Sequence, residues 1–383
     1  MTAVADARVR LTDRLEASGA LAPDWRQAFL DVGRHLFLPD VFWADTSEGY
    51  ERCDRAESPE RWLQLAYSDT AIVTQWDDGG DGGQREPTSS VSMPTMVASM
   101  LRDLDVHEGH KVWEGGTGPG WNAALLARRQ GAHSVVTVEL DPAIAARAAA
   151  NFRALDAVPT AVVGDAEHGY LPGAPYDRGI LTCAVREVPP AVIGQIRPQG
   201  VLVLPFAPLF GGGAVARLTV SGATATGPFT GSSAFMRMRQ QRYQAPSVDD
   251  YLPGDWPGDA SQEYTTLSPF KVVDDWLASF VVGLAVPDVY YRRSDGDDMT
   301  SLWLFDTGVT SWATVDFVDG ASRYEVRQSG PRRMWSEVEE IHRWWEKEGR
   351  PGFGRFGLTV DGGEHRAWLD EPANLLPPVR GRG

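Results

Sequence analysis

The run KVWEGGTGPGWNAALLARR, residues 111–129, constrains this chain more than any other segment. A short β run ends at Glu114, glycines stand at 116, 118 and 120, and a helical pattern follows at once. Glycine takes positive φ without a Cβ clash and lets the backbone approach a neighbour or ligand closely. The alternation continues downstream, with β runs at 134–139, 161–164, 177–183 and 200–205 and helices at 142–155 and 189–196. Strands and helices alternating at these lengths predict a doubly wound, Rossmann-like parallel sheet of the α/β class. Such sheets bind ligands at the carboxyl ends of their strands.

The glycine spacing alone fits a dinucleotide, S-adenosylmethionine (SAM) or a mere tight strand–helix turn. Two acidic residues narrow the choice. Glu139 ends the second β run, about 20 residues on, where a carboxylate accepts both hydroxyls of a ribose. Asp165 follows the third run, where it can accept a hydrogen bond from an adenine amino group. Alone, Glu139 reads more often as a solvated strand end, and Asp165 as a helix cap or Asx turn. Glu114, Glu139 and Asp165 in register around one glycine turn favour a nucleoside-bearing ligand.

Composition removes several function classes. With 383 residues the chain is two domains, or one with large elaborations. The net charge of −16 works against a nucleic-acid partner, which needs a basic footprint. Two cysteines, Cys53 and Cys183, build neither a disulfide scaffold nor a thiolate zinc site. No run approaches the roughly 20 apolar residues of a membrane helix. The N-terminus reads as an amphipathic helix, not a signal peptide, so a soluble cytoplasmic protein is expected.

The expected organisation is an N-terminal helical and irregular segment (1–75), a core (76–245) and a C-terminal α+β domain (246–383). Residues 43–74 look irregular, ending in a short strand-like run at 70–75. The Gly/Asp-rich stretch 77–88 reads as a solvated mobile loop or as a lid beside the site. Residues 94–104 form a helix opened by Pro94. Gly211–Gly213 turn one β run into another, and 243–257 reads as a linker. Past it come short strands at 301–306, 312–317, 324–327, 357–360 and 366–369. A helix at 334–348 carries Trp335, Val338, Ile341 and Trp345 on one face. That face is a core of large aromatics or a peptide-binding groove.

The stretches SSVSMPTMVASML, KVWEGGTGPGWNAALLA, VVTVELDP and VVGDAEHGYLPGAPYDRGILTCAVREVPPAVIGQIRPQGVLVLPF resemble the protein-L-isoaspartate O-methyltransferases. The likeness spans about residues 25–210. It implies a SAM-dependent carboxyl O-methyltransferase, with S-adenosylhomocysteine (SAH) as product. It places Ser89, Ser90, Val91 and Ser92 against SAM, with the Ser92 hydroxyl, the implied catalytic group, near the methyl and the substrate carboxylate. Ser92 alone would read as a helix cap. Glu114, Gly116, Thr117, Gly118, Gly120 and Asn122 belong to the turn around the methionine part. Glu139 and Leu140 hold ribose and adenine, and Asp165 and Ala166 the adenine edge. Gly115, Pro119 and Ala166 depart from the family's usual residues, and Pro119 removes one N–H from the turn. A carboxylate is already ionised at neutral pH, so the implied chemistry needs alignment and water exclusion but no general base and no metal.

The family's repair enzymes end near residue 245 in this numbering. The added segment, with its GRFGLTV and WLD motifs, resembles an actinobacterial subgroup that matures ribosomal peptides of the lanthipeptide, lasso and graspetide kinds. That resemblance implies methylation of an ordinary Asp in a cyclised precursor peptide. The ester then closes to an aspartimide, which persists or hydrolyses to isoaspartate. Two other readings stand beside it: isoaspartate repair of damaged proteins, and a non-catalytic peptide-binding scaffold. No nucleic-acid or membrane partner is expected, and the oligomeric state stays open.

Overall fold

The computed structural model describes residues 2–378 except 81, 82, 84, 156, 157, 253 and 255. Its centre is a nine-stranded sheet. Val112–Gly115 lies in the middle of its five parallel strands, with Val135–Glu139 and then Thr160–Val163 on one side. Tyr176–Leu181 and then Ile196–Phe206 run parallel on the other. Chain order reverses between Val112–Gly115 and Tyr176–Leu181, which creates the crevice where doubly wound sheets take ligands. Both strands are buried along their length, as expected of a sheet covered on two faces.

Local chemistry fixes the covering helices. Pro94 starts Pro94–Leu104, which buries Val97, Ala98, Met100, Leu101 and Leu104. Asp141 caps Pro142–Ala154 by accepting from the amides of Ala143 and Ile144. The helix expected at 189–196 is shorter, Pro190–Ile193, because Ile196 already begins the next strand.

The sheet continues antiparallel through Gly213–Ser221 and Thr224–Ser233, the hairpin turn at 211–213 falling where expected. It then takes up Phe356–Asp361 and Glu364–Leu369. Sequence reasoning assigned these last two strands to a separate domain after 245. They instead hydrogen-bond to the methyltransferase-like sheet, covering what would be the open edge of Thr224–Ser233. Leu358 and Val360 enter the same core as Leu218 and Leu204.

Residues 261–329 build a second, five-stranded antiparallel sheet. Its order is Ser261–Thr265, Tyr324–Ser329, Trp312–Phe317, Thr300–Asp306, Val289–Asp295. The helices Trp276–Ala285 and Met334–Lys347 join both sheets in one continuous core. Trp276–Ala285 is apolar on nearly all sides, so it shows no helical stripe in the sequence. Trp335, Val338, Ile341 and Trp345 are at most 2% exposed. That helix face is core, and the groove reading for it is set aside.

Two further expectations change. The strand-like run expected at 70–75 is the strand Ile72–Trp76, but the stretch before it is not irregular. Val41–Thr46 and Gly49–Asp54 join Ile72–Trp76 and Pro87–Val91 in a small antiparallel sheet, with helix Pro59–Ala66 between. The stretch read as a linker carries the helix Val248–Tyr251, whose Tyr251 is buried and donates to the Asp306 carbonyl at 2.5 Å. Of the loop read as mobile, Asp81, Gly82 and Gln84 lie outside the described residues. Among the described residues no helix is long and apolar enough to cross a membrane.

Candidate active site

A cleft of about 1100 Å³, open to solvent, lies over the carboxyl ends of the parallel strands. The glycine turn forms its floor. Gly116 has φ +94°, and a Cβ there would stand 2.7 Å from Thr182 Oγ1. Gly120 has φ +102°, and its Cβ would meet the Phe152 ring at 2.7 Å. Only glycine satisfies both the dihedral and the space at these two positions. Gly118, Thr117 and Asn122 line the same floor. Pro119 also faces the cleft, and its carbonyl is held by Asn151 Nδ2 at 3.0 Å.

Glu139 is fixed by its neighbours. Its Oε2 accepts from the Gly118 amide at 2.8 Å and its Oε1 from the Asp141 amide at 3.0 Å. Burial pushes its pKa above the usual carboxylate range. Leu140, Asp165 and Ala166 complete this end of the cleft. Asp165 Oδ1 caps the Glu167 amide at 2.9 Å, as the cap reading expects, and the residue also borders the cleft.

Glu114 is placed differently. It is fully buried and absent from the cleft wall. Its carboxyl accepts from Asn122 Nδ2 at 2.7 Å and from Thr137 Oγ1 at 2.5 Å. Burial raises its pKa to about 7. Glu114 therefore braces the glycine turn from behind, through Asn122, and does not wrap a ligand.

The opposite wall is Ser89, Ser90, Val91 and Ser92, with Thr88. A Cβ on Gly118 would come within 3.4 Å of the Ser90 carbonyl, so this strand and the turn approach closely. Sequence reasoning missed what holds the strand there. Arg34, 1% exposed, donates to the carbonyls of Val91 and Ser92, each at 3.0 Å, and to those of Ala66, Ser68 and Thr70. Its guanidinium also stands 5.4 Å from the Trp121 ring. Burial lowers its pKa to about 9, which still leaves it charged at neutral pH.

Two more parts of the wall were not foreseen. Thr182 and Cys183 follow the strand Tyr176–Leu181 and border the cleft, where the strand-end rule should have located them. Burial pushes the Cys183 thiol up to about 12, so it is no nucleophile at neutral pH. The segment 235–242 also borders the cleft, and its signal was the spaced arginines 237, 239 and 242 in FMRMRQQR. Arg237 is anchored by the Ala207 and Pro208 carbonyls at 2.6 Å each. Gln240 Nε2 donates to Asp165 Oδ2 at 2.7 Å.

Comparison with known proteins places this geometry. Residues 43–212 match the family model for protein-L-isoaspartate(D-aspartate) O-methyltransferase. Protein-L-isoaspartate O-methyltransferase 2 of Archaeoglobus fulgidus is 35% identical over 201 residues, 52% of this chain and 77% of that protein. The protein-L-isoaspartate O-methyltransferase of Hyperthermus butylicus is 33% identical over 213 residues, 52% of this chain and 75% of that one. A solved protein-L-isoaspartate O-methyltransferase shares the fold at 20% identity and TM-score 0.52, covering 95% of this chain and 100% of its own. That last match reaches well past residue 245, so the shared fold includes part of the C-terminal segment. This chain belongs to the protein-L-isoaspartate O-methyltransferase family of SAM-dependent carboxyl O-methyltransferases.

Proposed function

We propose that this chain transfers a methyl group from SAM to the free carboxylate of an isoaspartyl residue in a peptide or protein. The observation that carries the reading is the cleft itself: a glycine turn at the sheet's switch point, a fixed Glu139 carboxylate at one end, and the Ser89–Ser92 wall facing it. SAM, when bound, supplies an electrophilic methyl group. Gly116 and Gly118 leave room for its methionine part. The lone pairs of Glu139 not used by Gly118 and Asp141 accept the ribose hydroxyls. Asp165 and Ala166 border the adenine. The Ser92 hydroxyl donates to the substrate carboxylate and orients one oxygen toward the methyl. Among the described residues no His or Lys borders the cleft. This suits a nucleophile that arrives already ionised.

A finer substrate reading keeps the same chemistry with an ordinary Asp of a cyclised ribosomal peptide, whose methyl ester closes to an aspartimide. Its two motivating features now have structural roles. Trp335 and Trp345 of helix Met334–Lys347 fill the core, and the GRFGLTV and WLD runs extend the main sheet.

Mass spectrometry with SAM separates these readings. Three substrates are offered: a linear isoaspartyl peptide, its aspartyl twin and a cyclised Asp-containing precursor. A gain of one methyl on the isoaspartyl peptide alone is the expected result. Methylation confined to the cyclised precursor, followed by loss of methanol, would move the assignment to peptide maturation. No methyl on any of the three would favour the scaffold reading.

A further inference from the structure

The mouth of the cleft carries a pair of arginines that the proposed chemistry does not use. Arg239 and Arg242 both border the cleft. Both grip the same carboxylate, that of Asp78. Arg242 Nη1 stands 2.7 Å from Asp78 Oδ2 and its Nη2 3.2 Å from Oδ1, a two-point contact. Arg239 Nη2 reaches Asp78 Oδ1 at 2.8 Å. Planar, two-point geometry of this kind suits a carboxylate and gives direction as well as attraction.

Asp78 is an awkward tenant. Its φ is +54° and that of Asp77 is +49°, a left-handed region that side-chain-bearing residues seldom occupy. It sits beside Gly79 and Gly80, in a stretch with little to hold it except these ion pairs and local hydrogen bonds. Asp77 braces the turn by accepting from the Arg85 and Glu86 amides. The Asp78 amide donates to Thr88 Oγ1 at 3.0 Å. Thr88 is four residues from Ser92 along an extended run, about 13 Å at strand spacing. The arginine pair therefore faces the same cleft as Ser92, within the reach of a short peptide.

We propose that Arg239 and Arg242 form a receptor for a second carboxylate on the peptide substrate, and that Asp78 is a built-in stand-in which that carboxylate displaces. The inference rests on the methyl-transfer reading for its biological sense, but the site itself is a matter of binding. The reacting carboxylate is a poor candidate for this pair, because a doubly paired carboxylate loses nucleophilicity. An acidic residue a few positions away in the sequence is the fitting ligand. In a chain of net charge −16, this basic pair also gives acidic peptides a place to land.

The test uses the full-length protein saturated with SAH and fluorescein-labelled isoaspartyl peptides. Glu is scanned from one to five positions on either side, each peptide paired with its Gln twin. Fluorescence anisotropy gives Kd, and methyl transfer from SAM gives KM and kcat. At the favoured position the Glu peptide is expected to bind about tenfold more tightly than its twin, with the gap shrinking as salt rises. The double variant R239Q/R242Q should bring that ratio close to one, and Asp78→Asn should tighten the Glu peptide several-fold. SAH affinity within about twofold of wild type in each variant shows that the cleft is intact. Equal Kd values for every Glu and Gln pair in the wild type overturn the proposal, as does a ratio that survives R239Q/R242Q. So does an absence of peptide binding. If peptides bind with the expected Glu preference but none is methylated, the proposed function fails while the receptor stands.

Discussion

The two rims of the cleft are held by different means. The inner rim is backbone and buried polar groups: the glycine turn, the Glu139 carboxylate locked by two amides, and the Ser89–Ser92 strand clamped by Arg34. The outer rim is side-chain ion pairs: Asp78 with Arg239 and Arg242, each of them partly exposed. Groups fixed by backbone geometry cost little to keep in place at the moment of reaction, which suits a site that must align three atoms in line. Exposed ion pairs exchange partners at small cost, which suits a place where a substrate enters. The comparison teaches that one sheet end can pair a rigid floor with a replaceable rim.

The comparison can be broken most readily at Arg34. Replacing it with Met leaves the carbonyls of Ala66, Ser68, Thr70, Val91 and Ser92 short of a donor inside the fold. The expected loss in urea unfolding is about 3–4 kcal/mol. A loss below about 1 kcal/mol would mean that the strand is held by something else.

Next comes the turn. Gly116→Val places a branched side chain at φ +94° and against Thr182 Oγ1. SAH affinity by calorimetry should fall at least about 100-fold, or roughly 3 kcal/mol. Near wild-type affinity in a folded Gly116→Val protein would remove the turn from the cofactor site.

Glu114 gives a pH signature of similar size. Its pKa is raised from 4.5 to about 7 by burial, so in the folded state it keeps its proton where the unfolded chain has lost it. Its contribution to stability is complete below pH 4.5 and is lost as pH rises through about 7. Relative to Glu114→Gln, the wild type should therefore lose up to about 3 kcal/mol across that window and stay level above it. Parallel stability–pH curves for the two proteins would show that Glu114 titrates normally.

The outer rim should barely register in stability. R239Q/R242Q removes the partly exposed ion pairs to Asp78 and a long 3.8 Å contact of Arg239 with Asp141, and should shift unfolding by less than about 1 kcal/mol. A larger loss would make this rim structural, and the contrast between the two rims would disappear.

Much of the inner rim was legible in the sequence because its requirements are local. Gly116 and Gly120 are required by dihedral angle and space, and Glu139 by its place at a strand end, so each leaves a mark at a fixed spacing. Glu114 followed the same spacing but its carboxyl turned inward, since Asn122 and Thr137 offer it partners that solvent cannot match inside the fold. Arg34 was invisible because its partners are carbonyls spread from residue 66 to residue 92, and carbonyls carry no sequence signal. The C-terminal part misled for a related reason. Strands Phe356–Asp361 and Glu364–Leu369 were recognised as strands, but the partner of Phe356–Asp361 lies more than a hundred residues upstream. The small sheet of Val41–Thr46 and Gly49–Asp54 was missed because its strands are six residues each and show no clean alternation of apolar side chains.

The most direct test of the division between the rims is SAH calorimetry on the wild type, Glu139→Ala and R239Q/R242Q, side by side. The account predicts that Glu139→Ala weakens SAH by at least tenfold, while R239Q/R242Q stays within about twofold of wild type. The opposite pattern, with SAH lost from the arginine variant and kept by Glu139→Ala, would place the cofactor against the outer rim and contradict the account.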